Sequence, residues 1–195
     1  MASEFTDQQI IKLGNAIIYL SKKVGEFNKT KILKLLFILE EASIKLFGHP
    51  FFGFDFQLWK YGPVLSDVYI DLTEDDITLL RDYIKRAPYN KDEFIAIMEF
   101  NDDEFSDNDI YLMDKIIEFA KHKTAGDLVK YTHGENSLWR KSAIKNGVLE
   151  LLEKQKKSST NYLIDFSLLF EDNSFLKDRF ENSVDNQQFI NHLKG

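Results

Sequence analysis

The sequence predicts a mainly α-helical domain with a small antiparallel β element. Apolar residues recur at helical spacing through most of the 195 residues, and this spacing changes to alternation only over short stretches. With 3 Pro and 9 Gly, the chain shows no linker rich in these residues. We therefore expect one helical domain over residues 1–147 and a helical extension over residues 148–195 that packs on it.

The first two helices are predicted from their end signals. Thr6 and Gln9 have the spacing of a capping box, and apolar residues then recur at helical spacing. Asn28 is a suitable N-cap for a second helix, which we expect to end at Gly48. Within residues 32–39 of this second helix only Lys34 is polar, and a helix that is apolar nearly all round is usually central in a domain.

Two short stretches are candidate β-strands. One lies at residues 51–60, where apolar and other residues alternate and the inward positions are Phe52, Phe54, Phe56 and Leu58. The other lies at residues 93–100 and contains the run FIAIMEF, which is apolar on both faces as far as Glu99. We expect the two to pair as a small antiparallel sheet, and an isolated pair of strands must pack on helices to be stable.

The later helices are predicted mainly from a Ser or Thr followed three positions on by an acidic residue. These pairs are Thr73 with Asp76, Ser106 with Asp109, and Thr124 with Asp127. The first pair predicts a helix over DITLLRDYIKRA that ends before Pro88. A short helix over Ser137–Lys145 and a last helix over Phe175–Leu193 complete the prediction.

Composition narrows the class of protein. The chain has no Cys, which excludes disulfides and a Cys nucleophile and fits a reducing cytoplasm. The N-terminal residues MASEFTDQQI lack the basic and apolar regions of a signal peptide, and no apolar run is long enough for a membrane span. We therefore expect a cytoplasmic protein with no membrane partner.

Charge is unevenly distributed along the chain. Residues 49–120 contain 6 Lys and Arg against 17 Asp and Glu, a net charge of −11, whereas the flanking regions are each slightly basic. Two interpretations stay open: a solvated acidic face, or a docking surface for a basic partner. An acidic region of this size would repel a phosphate backbone, so nucleic acid is disfavoured as a partner.

The stretch FQLWKYGPVLSDVY, residues 56–69, combines aromatic residues with a Gly-Pro pair. Gly62 and Pro63 are expected to stop strand pairing and to turn the chain. Trp59 falls on the strand face shared with Asp55 and Gln57, where it is either covered by a helix or exposed as an interface anchor.

Three patterns in order resemble the Panacea antitoxin domain, also called SocA-like or phage-associated GepA-like. They are KILKLLFILEEASIKLFGHPFFG, FQLWKYGPVLSDVY and DLVKYTHGENSLWRKSA, and the resemblance covers about residues 10–145. Leu58 and Leu138 depart from the small residue and the Pro that usually precede the two Trp residues. The matching positions are Lys31, Leu35, Leu36, Phe56, Trp59, Tyr61, Gly62, Pro63, Val64, Val68, Tyr69, Leu128, Thr132, His133 and Trp139.

The resemblance implies an antitoxin that neutralises a cognate protein toxin by direct binding, with the toxin normally encoded beside it. One branch of the family delivers its toxin to a protease, so a protease is a second candidate partner. We expect partner contacts at Trp59, Tyr61, Val64 and Tyr69. We expect a structural role for Gly62, Pro63, Thr132, His133 and Trp139.

Other functions are less well supported by the residues. The sequence contains no P-loop, G-x-S-x-G or G-x-G-x-x-G motif, and none of the four histidines has metal-ligand spacing, so we expect no enzyme, cofactor or metal. A DNA-binding regulator that uses the helix pair at residues 7–47 is one alternative, because five lysines surround that pair. A phage-accessory interaction module is the other.

Overall fold

Two long helices begin the fold of the chain. The computed structural model describes residues 5–154, 156–170 and 173–194, with only the backbone of residues 187–194. Helix α1 spans Asp7–Ser21, and Thr6 and Gln9 form the predicted capping box before it. Helix α2 spans Lys29–Phe47, with Asn28 as N-cap and Gly48 in the left-handed conformation at its end. Both predictions are confirmed.

The β structure consists of two separate hairpins. Strand β1, Gln57–Trp59, pairs with β2, Gly62–Val64. After the short helix α3, Ser66–Asp71, strand β3, Ile84–Ala87, pairs with β4, Asn90–Ala96. The prediction that the stretches 51–60 and 93–100 pair with each other is therefore wrong, because each finds a partner close by in sequence.

The remaining described residues form five helices and one 3₁₀ turn. Their bounds are α4 Asp107–Ala120, α5 Ala125–His133, α6 Leu138–Lys145, α7 Leu149–Glu153, a 3₁₀ turn at Phe166–Leu169, and α8 Ser174–Lys194. The capping boxes predicted before α4 and α5 are present. The chain is therefore mainly α-helical with a small β element, as predicted.

Helix α2 is the centre of the fold. Of its 19 residues 12 are buried, and it contacts α3, α4, α5, β2, β4, the 3₁₀ turn and α8. Because it is buried on most sides, its apolar side chains make a large contribution to hydrophobic stabilisation. None of the helices in the described residues combines the length and apolar character needed to cross a bilayer.

The helix predicted after Thr73 is replaced by turns and by β3. The Asp71 carboxylate accepts hydrogen bonds from the backbone N–H groups of Thr78, Leu79 and Leu80, at 2.7 to 3.0 Å, and folds this segment into a loop. The Thr73 hydroxyl donates back to the carbonyl of Tyr69 at 2.6 Å, so it ends α3 and does not begin a new helix.

The segment before β1 is also irregular. Its inward residues are buried as predicted, but residues 51–56 form no strand. The Glu40 carboxylate of α2 accepts hydrogen bonds from the N–H groups of Phe52 and Gly53, at 2.7 and 3.0 Å, and Gly53 has a φ of 75°. These contacts bend the chain where the alternating pattern predicts an extended strand.

Candidate functional site

The hairpin β1–β2 has a two-residue turn at Lys60 and Tyr61. Trp59 is paired with Gly62, and Leu58 is paired with Pro63. The prediction that Gly62 and Pro63 stop strand pairing is therefore wrong, since both lie inside β2. Pro63 fits there because the N–H and C=O of Leu58 both point away from β2, so its missing N–H removes no hydrogen bond.

Gly62 is required by both conformation and space. Its φ is 102°, a value that residues with a side chain rarely adopt. A Cβ atom at this position would lie 2.9 Å from Nζ of Lys34 and 3.1 Å from Oγ1 of Thr132. Only a glycine lets β2 approach both α2 and α5 this closely.

Lys34 links α2 to the hairpin through a buried amine. The residue is 2% exposed, and its Nζ donates to the carbonyl of Pro63 at 2.9 Å. No ion pair among the described residues includes Lys34. Burial lowers the pKa of its ammonium to about 7, because the charged form is poorly solvated there.

Trp139 and His133 hold β1 from the side of α5 and α6. The indole Nε1 of Trp139 donates to the carbonyl of Trp59 at 2.9 Å, and Trp139 is 1% exposed. The His133 ring stacks on Trp139 with ring centroids 3.8 Å apart. The buried Nε2 of His133 has no hydrogen-bond partner among the described residues.

The charge of His133 is suppressed by its surroundings. Burial, followed by the positive charge of Lys34, lowers the pKa of His133 to about 4, so the ring is neutral at pH 7. Thr132 beside it is buried, and its hydroxyl donates to the carbonyl of Leu128 within α5 at 3.0 Å. We call the six residues Lys34, Gly62, Pro63, Thr132, His133 and Trp139 the hairpin junction.

The four residues predicted to contact a partner differ in exposure. Tyr61 lies at the hairpin turn and is 63% exposed. Trp59 and Tyr69 are half-buried and pack edge to face with ring centroids 4.8 Å apart, while Val64 is 5% exposed and lies in the core. Tyr61, Trp59 and Tyr69 can reach a partner from this side of the molecule; their role in binding stays a prediction.

A comparison with known families decides which of them the chain resembles. The family model described as Antitoxin SocA-like, Panacea domain, matches residues 32–140, more than half of the chain. The chain belongs to this family. No curated protein and no solved structure matches it.

Within this Panacea domain, the hairpin junction unites sequence motifs that lie far apart in the chain. Lys34 comes from the first motif, Gly62 and Pro63 from the second, and Thr132, His133 and Trp139 from the third. Their shared contacts give the three motifs one structural task, which is to fix β1–β2 against α2, α5 and α6. The predicted structural residues are therefore brought together. Lys34 joins them, although the sequence places it only among the five lysines near the helix pair at residues 7–47.

A second buried polar position of the Panacea domain is Glu40, further along α2. Glu40 is 1% exposed, and burial raises the pKa of its carboxyl to about 7 despite two backbone hydrogen bonds. It lines a cavity of about 390 Å³ together with Asp55, Asp165, Phe166 and Phe180. The signal in the sequence is an acidic residue directly after the apolar run FIL, residues 37–39.

The polar groups of the hairpin junction contact the backbone of the hairpin. Among the described residues, no group of three or more His, Asp and Glu side chains is placed to hold a metal ion. The hairpin junction instead uses its polar groups to bind the backbone of β1 and β2, at Trp59 and Pro63. Such contacts give the hairpin a fixed position, so that Tyr61 is presented to solvent on a rigid support.

Proposed function

We propose that this chain is an antitoxin that neutralises a cognate protein toxin by direct binding. The observation that carries the proposal is the match of residues 32–140 to the SocA-like Panacea antitoxin family. The toxin is proposed to be the product of an adjacent reading frame. Residues 1–147 are proposed to form the binding domain, with residues 148–195 packed on it.

The toxin-binding surface is proposed to include the face of the β1–β2 hairpin. Tyr61 is exposed at its turn, and aromatic side chains on a rigid support make strong contacts at small cost in conformational entropy. Trp59 and Tyr69 extend this face, whereas Val64 contributes through packing in the core. The neighbouring turn after α3 carries the exposed acidic residues 74–76, which suits a basic region on the toxin.

A DNA-binding role draws no support from the helix pair at residues 7–47. Helix α2 is buried on most sides, and Lys31 and Lys34 are each 2% exposed. Their amines donate to backbone carbonyls of Gly25 and Pro63, which leaves them unavailable for phosphate contacts. A recognition helix would need a free polar face, and α2 has none of sufficient length.

Co-expression tests the proposal. The adjacent reading frame is induced in a bacterial host alone and together with this chain. We expect growth to stop in the first case and to recover in the second. A neighbour that is harmless alone, or one whose toxicity persists when this chain is present, would refute the proposal.

Variants of the hairpin face refine the test. Tyr61→Ser should weaken rescue, whereas Tyr89→Ser, which alters an even more exposed tyrosine at the turn of the other hairpin, should leave rescue intact. The half-life of the toxin, measured in the same cells, separates two mechanisms. A stable toxin indicates inhibition by binding alone, and a toxin degraded only with this chain present indicates delivery to a protease.

A further inference from the structure

The outer edge of β1 is covered by a segment from the C-terminal part of the same chain. Strand β2 occupies one edge of β1, and residues 158–164, which we call the strap, lie along the other. Ile164 N–H donates to Phe56 at 2.7 Å, Leu58 N–H donates to Tyr162 at 2.8 Å, and Lys60 N–H donates to Ser158 at 3.0 Å. The strap thus acts as a third strand.

The pairing of the strap is irregular at its centre. In a regular antiparallel ladder, Tyr162 N–H would donate directly to the carbonyl of Leu58. The hydroxyl of Thr160 is inserted between them: it accepts from Tyr162 N–H at 3.3 Å and donates to the Leu58 carbonyl at 2.7 Å. A regular strand at this edge would make a direct backbone hydrogen bond that the strap lacks.

Few side chains hold the strap in place. Tyr162 is 50% exposed and Leu163 is 42% exposed, and within the strap only Ile164 is buried, at 6%. Directly after it the chain is anchored, because Asp165 N–H donates to Oγ of Ser142 at 3.0 Å and the Asp165 carboxylate pairs with Lys145. The strap can therefore detach while the chain that follows it stays bound.

The edge and the strap also differ in their relation to the family. Strand β1 lies inside the region that matches the Panacea family, residues 32–140, and the strap lies outside it. The edge thus belongs to the family's domain, and its occupant belongs to the extension. An exposed strand edge offers unpaired N–H and C=O groups to any extended chain.

We propose that the outer edge of β1 is a docking site for an extended segment of the toxin, and that the strap occupies it in the free protein. The partner segment would pair with Phe56, Leu58 and Lys60 and place an apolar side chain where Ile164 lies. This inference rests on the proposed function and assigns that function a surface and a mode of binding, the addition of a strand to a sheet.

The exchange is favourable when the incoming segment pairs more regularly than the strap. Both occupants bury an apolar side chain and satisfy the same backbone groups of β1, but a regular strand replaces the hydroxyl bridge of Thr160 with a direct backbone hydrogen bond to the Leu58 carbonyl. Binding then selects the conformation in which the strap is detached. The strap would also shield the edge from pairing with unrelated chains until the toxin arrives.

Amide hydrogen exchange tests this in the free protein and in the complex with the product of the adjacent reading frame. In the free protein, the amides of Leu58 and Ile164 should exchange together and faster than the core amide of Leu36. In the complex, Leu58 should become more protected and Ile164 less protected. Exchange of both amides only at the rate of Leu36, or unchanged protection of both in the complex, would overturn the inference.

The hydroxyl bridge provides a variant with a matched control. Thr160→Val removes the inserted hydroxyl and should raise the exchange rate of Ile164 N–H by about tenfold, the effect of losing one or two hydrogen bonds. Ser159→Val changes an exposed neighbour and should leave that rate unaltered. Equal rates in the two variants would show that the bridge does not hold the strap.

A disulfide can lock the strap, because the chain has no Cys of its own. Gln57 and Leu163 are bridge partners, and the Cα separation of such antiparallel pairs is suitable for a disulfide. Oxidised Gln57→Cys/Leu163→Cys protein should bind the adjacent-frame product about 100-fold more weakly than wild type, as expected for three lost hydrogen bonds of a factor of about five each. The single Leu163→Cys variant should bind as wild type does. Reduction should restore binding to the level of the single Gln57→Cys variant, which lacks the hydrogen bond from Trp59 Nε1 to Gln57 Oε1.

The outcomes separate this inference from the proposed function. If the wild-type chain forms no complex with the adjacent-frame product, the proposed function fails. If the complex forms equally well with wild type and with the oxidised double variant, the antitoxin proposal stands and the docking site at β1 is wrong.

Discussion

The buried ammonium of Lys34 should make the free energy of unfolding depend on pH, and Lys34→Met should remove this part of the pH dependence. Its pKa is about 7 in the folded state and 10.5 in the unfolded chain. Between these values only the unfolded state holds the proton, so this residue's contribution to stability is lost as the pH falls from 10.5 toward 7. From pH 7 to pH 9 the free energy of unfolding should rise by about 2 kcal/mol from this group alone.

Lys34→Met keeps the volume of the side chain and removes the titrating group. Urea unfolding at pH 7 and pH 9 gives the free energy of unfolding of both proteins. The difference between variant and wild type should change by about 2 kcal/mol between these pH values, with the variant relatively more stable at pH 7. The exposed Lys91→Met is the matched control and should show no such change. If the free energy of unfolding changes equally for Lys34→Met and wild type between pH 7 and pH 9, the pKa of Lys34 is not lowered and the folded protein keeps this lysine fully charged up to pH 9.

Three further predictions concern Gly62 and Trp139 of the hairpin junction and the buried Glu40 of α2. Gly62→Ala should lower the free energy of unfolding, measured in urea, by about 2–3 kcal/mol through backbone strain and crowding. Gly25 has open space around its Cα, so Gly25→Ala should change the free energy of unfolding little. Trp139→Phe should cost about 1–2 kcal/mol, because the partly buried carbonyl of Trp59 loses the hydrogen bond from the indole Nε1; a cost below about 0.5 kcal/mol would mean that this hydrogen bond contributes nothing. For Glu40, whose pKa is raised to about 7, stability should fall as the pH rises from 5 to 7, by about 2 kcal/mol relative to Glu40→Gln; a constant difference between the two proteins would contradict the raised pKa.

The helices could be predicted from sequence because their signals are local. Caps such as Thr6 and Asn28 lie beside the helices that they begin, and the apolar spacing is read over the same residues. Thr73 shows where this reasoning fails. Its cap signal is as strong as that of Thr124, but the carboxylate of Asp71 binds three backbone N–H groups of the same segment, and β3 then pairs with β4. A tertiary contact overrides the local preference.

The β1–β2 hairpin could not be predicted, because Pro is usually excluded from paired strands. Pro63 normally argues against a paired strand, and its position opposite Leu58 is tolerated only because that pair exchanges no hydrogen bonds. Lys34 stands out in the sequence as the one polar residue in an apolar run, but its partner, the carbonyl of Pro63, is 29 residues away. Sequence spacing alone does not show this contact.

The pairing of the strap with β1 could not be predicted from sequence either. Its residues show no strand alternation, and its partner β1 lies about 100 residues earlier in the chain. Non-local pairing of an irregular segment leaves no periodic signal. The motif residues predicted the family, and the structure adds the reason that they occur together, since they fix one hairpin to three helices.

The proposed neutralisation of a toxin by this Panacea domain requires direct contact between the two proteins. Calorimetric titration of the purified full-length chain with the purified product of the adjacent reading frame measures this contact. We expect a stoichiometric complex in which the activity of the toxin is blocked, with affinity reduced by Tyr61→Ser and retained by Tyr89→Ser. Rescue of growth in cells, with no complex between the two purified proteins, would contradict this proposal.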